Sequence, residues 1–287
     1  MHPAHLYQTS NLSKEPIRER FSIAAQPKPK EEPDLKLWID QLWKCIHVFA
    51  RVYQASDKEN KQSFSCFFQS LSGILPSKMM RGMMKDFIAM SPPVQKALLE
   101  HKSLTSFFTV HRPLYNVLTS KPGEFFTFCL EDGDSLFAWS FLFHSYFNMV
   151  FGLPLESFHS LRLMYSPEKI HKETWANPLW YMMHSCAYYS RQEQNCNMCF
   201  KAFMSCLRYA IPCPKCRNHL SGNLEQIDID NYANKPEGLF LFTVELHNSV
   251  NEQLGRPILS VEDAKSIYDP FSQPLVRQNM SVSRFIA

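Results

Sequence analysis

The chain carries the same three spaced signatures twice, in the same order. Trp43-x-x-x-His47 returns as Trp180-x-x-x-His184. Phe67-x-x-x-Leu71, leading to Leu75-Pro76-Ser77-Lys78-Met79-Met80, returns as Phe203-x-x-x-Leu207, leading to Ile211-Pro212-Cys213-Pro214-Lys215-Cys216. His144-x-x-x-Asn148-x-x-x-Gly152-x-Pro154 returns as His247-x-x-x-Asn251-x-x-x-Gly255-x-Pro257 with identical gaps. Ordered self-similarity points to one structural unit built twice. Four-residue spacings put the repeated residues on one helix face, so the unit is helical. In the first copy, Ser77 and Met80 stand where the second has Cys213 and Cys216. That copy keeps a fold signal and lacks the thiols.

Composition agrees. Glycine is scarce, at 8, while there are 23 Phe and 13 Met in 287 residues, which suits bulky helical cores. Apolar residues at helical spacing predict helices from Leu35, around 64–73, 79–90, 93–99 and 136–151, then near 175–189, 197–210, 214–221 and 237–254; no alternating strand pattern stands out. Residues 1–34 are polar and proline-punctuated and read as a flexible lead. The expected organisation is that lead, a degenerate unit at 35–165 without cofactor, and a functional unit at 166–287.

The net charge of +3 is too small to argue for a nucleic-acid partner. The most apolar stretch, 135–151, carries His144 and Asn148 and reads as a buried helix rather than a membrane span. The N-terminus lacks a basic-then-apolar signal pattern, so secretion is not expected. An intracellular setting in turn makes a Cys-x-x-Cys pair catalytic or metal-binding rather than part of a secreted disulfide framework.

Pro212 stops one helix and Pro214 suits the first turn of the next. Cys213 then sits at a helix N-terminus, where unpaired N–H groups and the helix dipole favour a thiolate. Lys215 and Arg217 add positive charge. The competing reading is a four-cysteine zinc site in a non-catalytic interaction module, since Cys196-x2-Cys199 and Cys213-x2-Cys216 are separated by 13 residues. An intervening helix would hold the two pairs apart, but on the cysteines alone both readings stay open. The other clusters favour redox chemistry. Trp180 and His184 share a helix face, as do His247, Asn251 and Gly255. These offer ring surfaces and amide groups to a flat cofactor, and Arg256 could take a phosphate.

These residues resemble the Erv/ALR sulfhydryl oxidases. Their signatures are Trp-x-x-x-His, Pro-Cys-x-x-Cys and His-Asn-x-Val-Asn-x-x-Leu-Gly-Lys-Pro. Here they read Trp180-x-x-x-His184, Pro212-Cys213-x-x-Cys216 and His247-Asn248-Ser249-Val250-Asn251-x-x-Leu254-Gly255-Arg256-Pro257. The likeness covers about 170–270, and the length with a degenerate first copy is similar to the enzymes of baculoviruses and related large invertebrate DNA viruses. It implies an all-α protein of four-helix units with a short fifth helix, arranged as an intrachain pseudodimer, with further homodimerisation. It implies non-covalent FAD, with Cys216 as the flavin-proximal sulfur and Cys213 as the one exchanging with protein dithiols, and O2 reduced to H2O2. It further implies that Trp180, His184, His219, His247, Asn248, Val250, Asn251, Arg256 and Tyr268 line the FAD. The resemblance places the protein inside an infected cell, in cytoplasm or nucleus or associated with the virion.

There are departures. The family's tyrosine-proline beyond the first histidine is replaced by Tyr188-Tyr189-Ser190, so either tyrosine is a candidate for the aromatic contact. No cysteine follows Cys216. Cys196 and Cys199 are expected to be helix-start cysteines rather than an electron relay.

Overall fold

The computed structural model describes residues 35–56, 58–190 and 196–268; the expected lead at 1–34 lies outside them. Among these residues the regular structure is entirely helical. Nine helices set the site: α1 (Leu35–Val52), α2 (Lys58–Ile74), α3 (Lys78–Ile88), α8 (Gly133–Phe151), α10 (Lys172–Ser190), α11 (Cys196–Ala210), α12 (Pro214–Gln226), α14 (Gly238–Gln253) and α15 (Val261–Tyr268). Between α3 and α8 run four short helices: α4 (Pro92–Glu100), α5 (Thr105–Val110), α6 (Arg112–Ser120) and α7 (Phe125–Cys129). α9 (Phe158–Met164) and α13 (Asp230–Ala233) complete the order. The segments at 105–129 had no separate sequence expectation.

The helices begin and end for local reasons. Asp132 caps α8, its carboxylate accepting the Ser135 N–H at 2.8 Å, and Gly152 ends that helix at φ 64°, a conformation glycine adopts without steric cost. Most of α8 is buried, including Trp139, Phe143 and Phe147, so its apolar sequence belongs to the core. No described helix is long and apolar enough to cross a membrane.

The repeated signatures build matching details. Ser77 caps α3 by accepting the Met80 N–H at 3.3 Å, and the Cys213 sulfur accepts the Cys216 N–H at 3.1 Å at the start of α12. Arg81 donates to Leu75 O at 2.6 Å, and Arg217 to Ile211 O at 2.7 Å. Gly255 has the same φ of 64° as Gly152. The matching helices also meet: α1 packs on α10, and α2 on α11. Phe67 and Phe203, equivalent in the repeat, face each other with ring centroids 5.3 Å apart. One continuous apolar core runs through both halves.

Candidate functional site

The site is a cleft between α10, α12 and α14. Its walls include Trp175, Leu179, Trp180 and Met183 from α10, Cys216, His219 and Leu220 from α12, and Val250 and Asn251 from α14. Leu254 and Arg256, just past the end of α14, also line it, as does Lys172 at the start of α10. Cys213 and Cys216 form a disulfide with Cα atoms 5.2 Å apart. Cys216 belongs to the cleft wall, while Cys213 caps the helix; both are part-exposed.

Behind the wall lies a chain of rings. Trp180 stacks on His247 with centroids 4.1 Å apart and planes 6° from parallel. Tyr268 stacks on His184 at 4.5 Å. Thr243 donates its hydroxyl hydrogen to Phe240 O at 2.7 Å, so it accepts from His184 Nδ1–H at 2.9 Å. His184 Nε2 then accepts from His247 Nδ1–H at 3.0 Å, leaving His247 Nε2 as a bare acceptor; the proton positions follow from the network. Both imidazoles are neutral at pH 7. Burial, then the neighbouring His247, hold His184 well below the usual histidine range. Burial, then the Arg256 charge, lower His247 to about 4.

The structure thus brings Trp180, His219, Val250, Asn251, Arg256 and Cys216 to one cleft, with His184, His247 and Tyr268 packed behind. Asn248 faces elsewhere. It donates to Leu259 O and accepts the Leu259 N–H, both at 2.8 Å, so its amide fixes the segment after Gly255. Tyr188 packs on Phe240 and on Tyr189, and neither tyrosine lines the cleft. Sequence reasoning passed over Lys172, Trp175, Leu179 and Met183. Their three- and four-residue spacing upstream of and through Trp180 is the helical stripe that would have found them.

The four-cysteine metal reading does not fit this geometry. Cys196 and Cys199 open α11 and pack at Gly73, the Cys196 thiol donating to Gly73 O at 3.6 Å. Cys213 and Cys216 lie past the opposite end of that helix and are bonded to each other. Among the described residues no cluster of three or more His, Cys, Asp or Glu is arranged to hold a metal ion.

The first occurrence of the signatures repeats the ring chain. Trp43 stacks on His144 at 4.2 Å, His47 contacts His144 at 3.0 Å, and Ser140 stands in for Thr243, 3.0 Å from His47 Nδ1. Met80 and Met84 are fully buried where Cys216 and Leu220 stand in the second copy. Phe147, in the place of Val250, turns its edge to Trp43 at 5.4 Å.

Comparison with known proteins points the same way. Residues 177–269 match the model of the Erv1 / Alr family. A protein of Invertebrate iridescent virus 3, provisionally named an FAD-linked sulfhydryl oxidase, is 26% identical over 107 residues, 37% of this chain and 70% of that relative. A similarly named protein of Frog virus 3 is 30% identical over 98 residues, 31% of this chain and 63%, less than two thirds, of its own length. The FAD-linked sulfhydryl oxidase of an African swine fever virus isolate is 27% identical over 97 residues, 33% of this chain and 80% of the relative. No solved structure matches significantly. The site described above falls within the matched segment, residues 177–269, and that segment is similar to the Erv1 / Alr family.

Proposed function

We propose that the protein is a sulfhydryl oxidase, making disulfides in protein dithiols through Cys213 and Cys216, with FAD as cofactor and O2 as final acceptor. The observation that carries the reading is the asymmetry of the disulfide: Cys216 forms part of the cleft wall with Trp180 and Asn251, while Cys213 stands outside it at a helix cap. The residues suit a flavin. Asn251 Nδ2 is buried without a protein acceptor, which a ligand in the cleft would satisfy. Trp175 and Trp180 supply apolar ring surface, and Lys172 and Arg256 supply the positive charge that a diphosphate needs.

When bound, FAD supplies a two-electron acceptor beside the dithiol and delivers the electrons to O2, giving H2O2. This chain's own residues do the rest. A substrate thiolate attacks the Cys213 sulfur, forms a mixed disulfide and leaves the electron pair on Cys216. The Cys216 N–H that already donates to the Cys213 sulfur, with the dipole of α12, stabilises negative charge there when the pair is reduced. The second substrate thiol then releases Cys213, leaving substrate disulfide and reduced pair. His184 and His247, neutral and mutually bonded, hold Trp180 in place.

We further infer that units 35–165 and 166–287 are copies packed as an intrachain pseudodimer, the first without cofactor. The pairing of equivalent helices and the buried Met80, Met84 and Phe147 support this. The protein would act inside the infected cell. Purified full-length chain, incubated with FAD and desalted, should carry one flavin per chain and consume O2 with a reduced, unfolded protein as substrate. Two flavins per chain would overturn the degenerate-copy reading. No flavin and no thiol loss would overturn the oxidase reading.

A further inference from the structure

The α2–α11 contact holds a second pair of thiols. Cys66 precedes Phe67 on α2, and Cys206 follows Phe203 by three residues on α11, beside the Phe67–Phe203 ring contact. Cys66 is close enough to Cys206 across the interface to act on its thiol, and the two helices pack directly on each other there. Both thiols are part-exposed, whereas Cys45, Cys129, Cys186 and Cys196 are buried. In the repeat alignment Cys66 corresponds to Ala202 and Cys206 to Ser70. The pair therefore exists on one side of the interface only and is not a by-product of the repetition.

We propose that Cys66 and Cys206 are a second redox site, a dithiol that closes to a disulfide joining the two helical units, with the Cys213–Cys216 disulfide of a second copy as oxidant. The proposal rests on the oxidase reading for its oxidant alone; the helix packing and the access of both thiols are independent of it.

The exchange balances. The Cys66 thiol loses its proton to solvent and attacks the Cys213 sulfur of the second copy, forming a mixed disulfide and releasing the Cys216 thiolate. Cys206 then loses its proton, attacks the Cys66 sulfur and releases the Cys213 thiolate. Two electrons pass to the active pair, which takes up two protons, and one Cys66–Cys206 bond forms. The order follows from the surroundings of Cys206. Burial first, and then the neighbouring Cys66, push its thiol up to about 12, so it stays protonated until the mixed disulfide is in place. The bond would close a long loop that runs through most of the first unit and into the second, the geometry in which a cross-link most restricts the unfolded chain.

The test uses the full chain, reduced, freed of reductant and incubated in air with FAD, then digested under non-reducing conditions for mass spectrometry. A Cys66–Cys206 linked peptide is expected in the wild type. In the Cys213→Ser/Cys216→Ser variant it should appear only slowly, and be accelerated at least tenfold by a catalytic amount of wild-type protein. Diamide should produce the link in both proteins and raise the melting temperature of each by several degrees over its Cys206→Ser version. Absence of the linked peptide even with diamide would overturn the proposal, as would a link that leaves the melting temperature unchanged. A link formed by diamide but never accelerated by wild type that oxidises other dithiols would overturn the self-oxidation step and leave the oxidase reading standing. A wild type that oxidises no dithiol, with the diamide link intact, would remove the oxidase reading and keep the dithiol site.

Discussion

Thr243 accepts the Nδ1 proton of His184 at 2.9 Å, and that contact sets the proton positions of the whole imidazole pair. Its own hydroxyl hydrogen goes to Phe240 O, so His184 has one available tautomer and His247 inherits the complementary one. Ser140 does the same for His47 in the first copy. The ring chain thus recurs at His47 and His144, where the Cys213–Cys216 thiols have no counterpart.

Replacing Thr243 with valine keeps the shape and strands the His184 Nδ1–H in the core. Leaving one such group unsatisfied costs about 1–3 kcal/mol, so urea denaturation should show a loss of that size. Thr243→Ser should restore most of it. A neutral Thr243→Val would contradict the tautomer assignment.

Trp180→Ala should weaken flavin retention more than it weakens the fold. Loss of a central aromatic contact is worth about 2 kcal/mol or more, so FAD affinity should fall roughly 30-fold, read by fluorescence titration. Trp43→Ala, the equivalent change in the first copy, should lower stability without altering flavin content.

Acid should loosen the protein before most carboxylates titrate. His247, and by burial alone His144, have folded values lowered to about 4 from 6.5. A histidine held neutral in the native state contributes stability that is present above the unfolded value and is lost as pH falls from 6.5 through 4, because the unfolded chain takes up the proton first. For His247 alone the loss is on the order of 3 kcal/mol. Melting temperature measured from pH 7.5 to 4 should fall steeply below 6.5, and less steeply in His247→Asn.

At Gly73 the α2 backbone lies close against α11. A Cβ there would lie 2.6 Å from the Cys199 sulfur and 3.0 Å from its Cβ. Gly73→Ala should therefore cost about 1–3 kcal/mol, and adding Cys199→Ala should recover much of it in a double-mutant cycle.

What the sequence disclosed follows from the range of each signal. Cys213 as a helix cap was legible because Pro212 and Pro214 bracket it locally. That Trp180 and His184 share one helix face, and His247 and Asn251 another, was legible from the four-residue spacings; the stacking of Trp180 on His247 was not, since it depends on how the two helices pack. The orientation of Asn248 was not, since its partner Leu259 arrives by a turn after Gly255 that leaves no periodic trace. The short helices at 105–129 were also hidden, because segments of five to nine residues, two of them preceded or opened by Pro113 and Pro122, show too little periodicity. The contact of Phe147 with Trp43 depended on tertiary packing that spacing cannot express.

The most direct test of the central claim, that Cys216 delivers electrons into the cleft, is anaerobic stopped-flow reduction by excess dithiol, followed through the visible flavin absorption. Wild type should bleach rapidly, while Cys216→Ser should keep its flavin and bleach at least a hundredfold more slowly. A Cys216→Ser protein that bleaches at the wild-type rate, or a wild type that stays colourless when offered FAD, would contradict it.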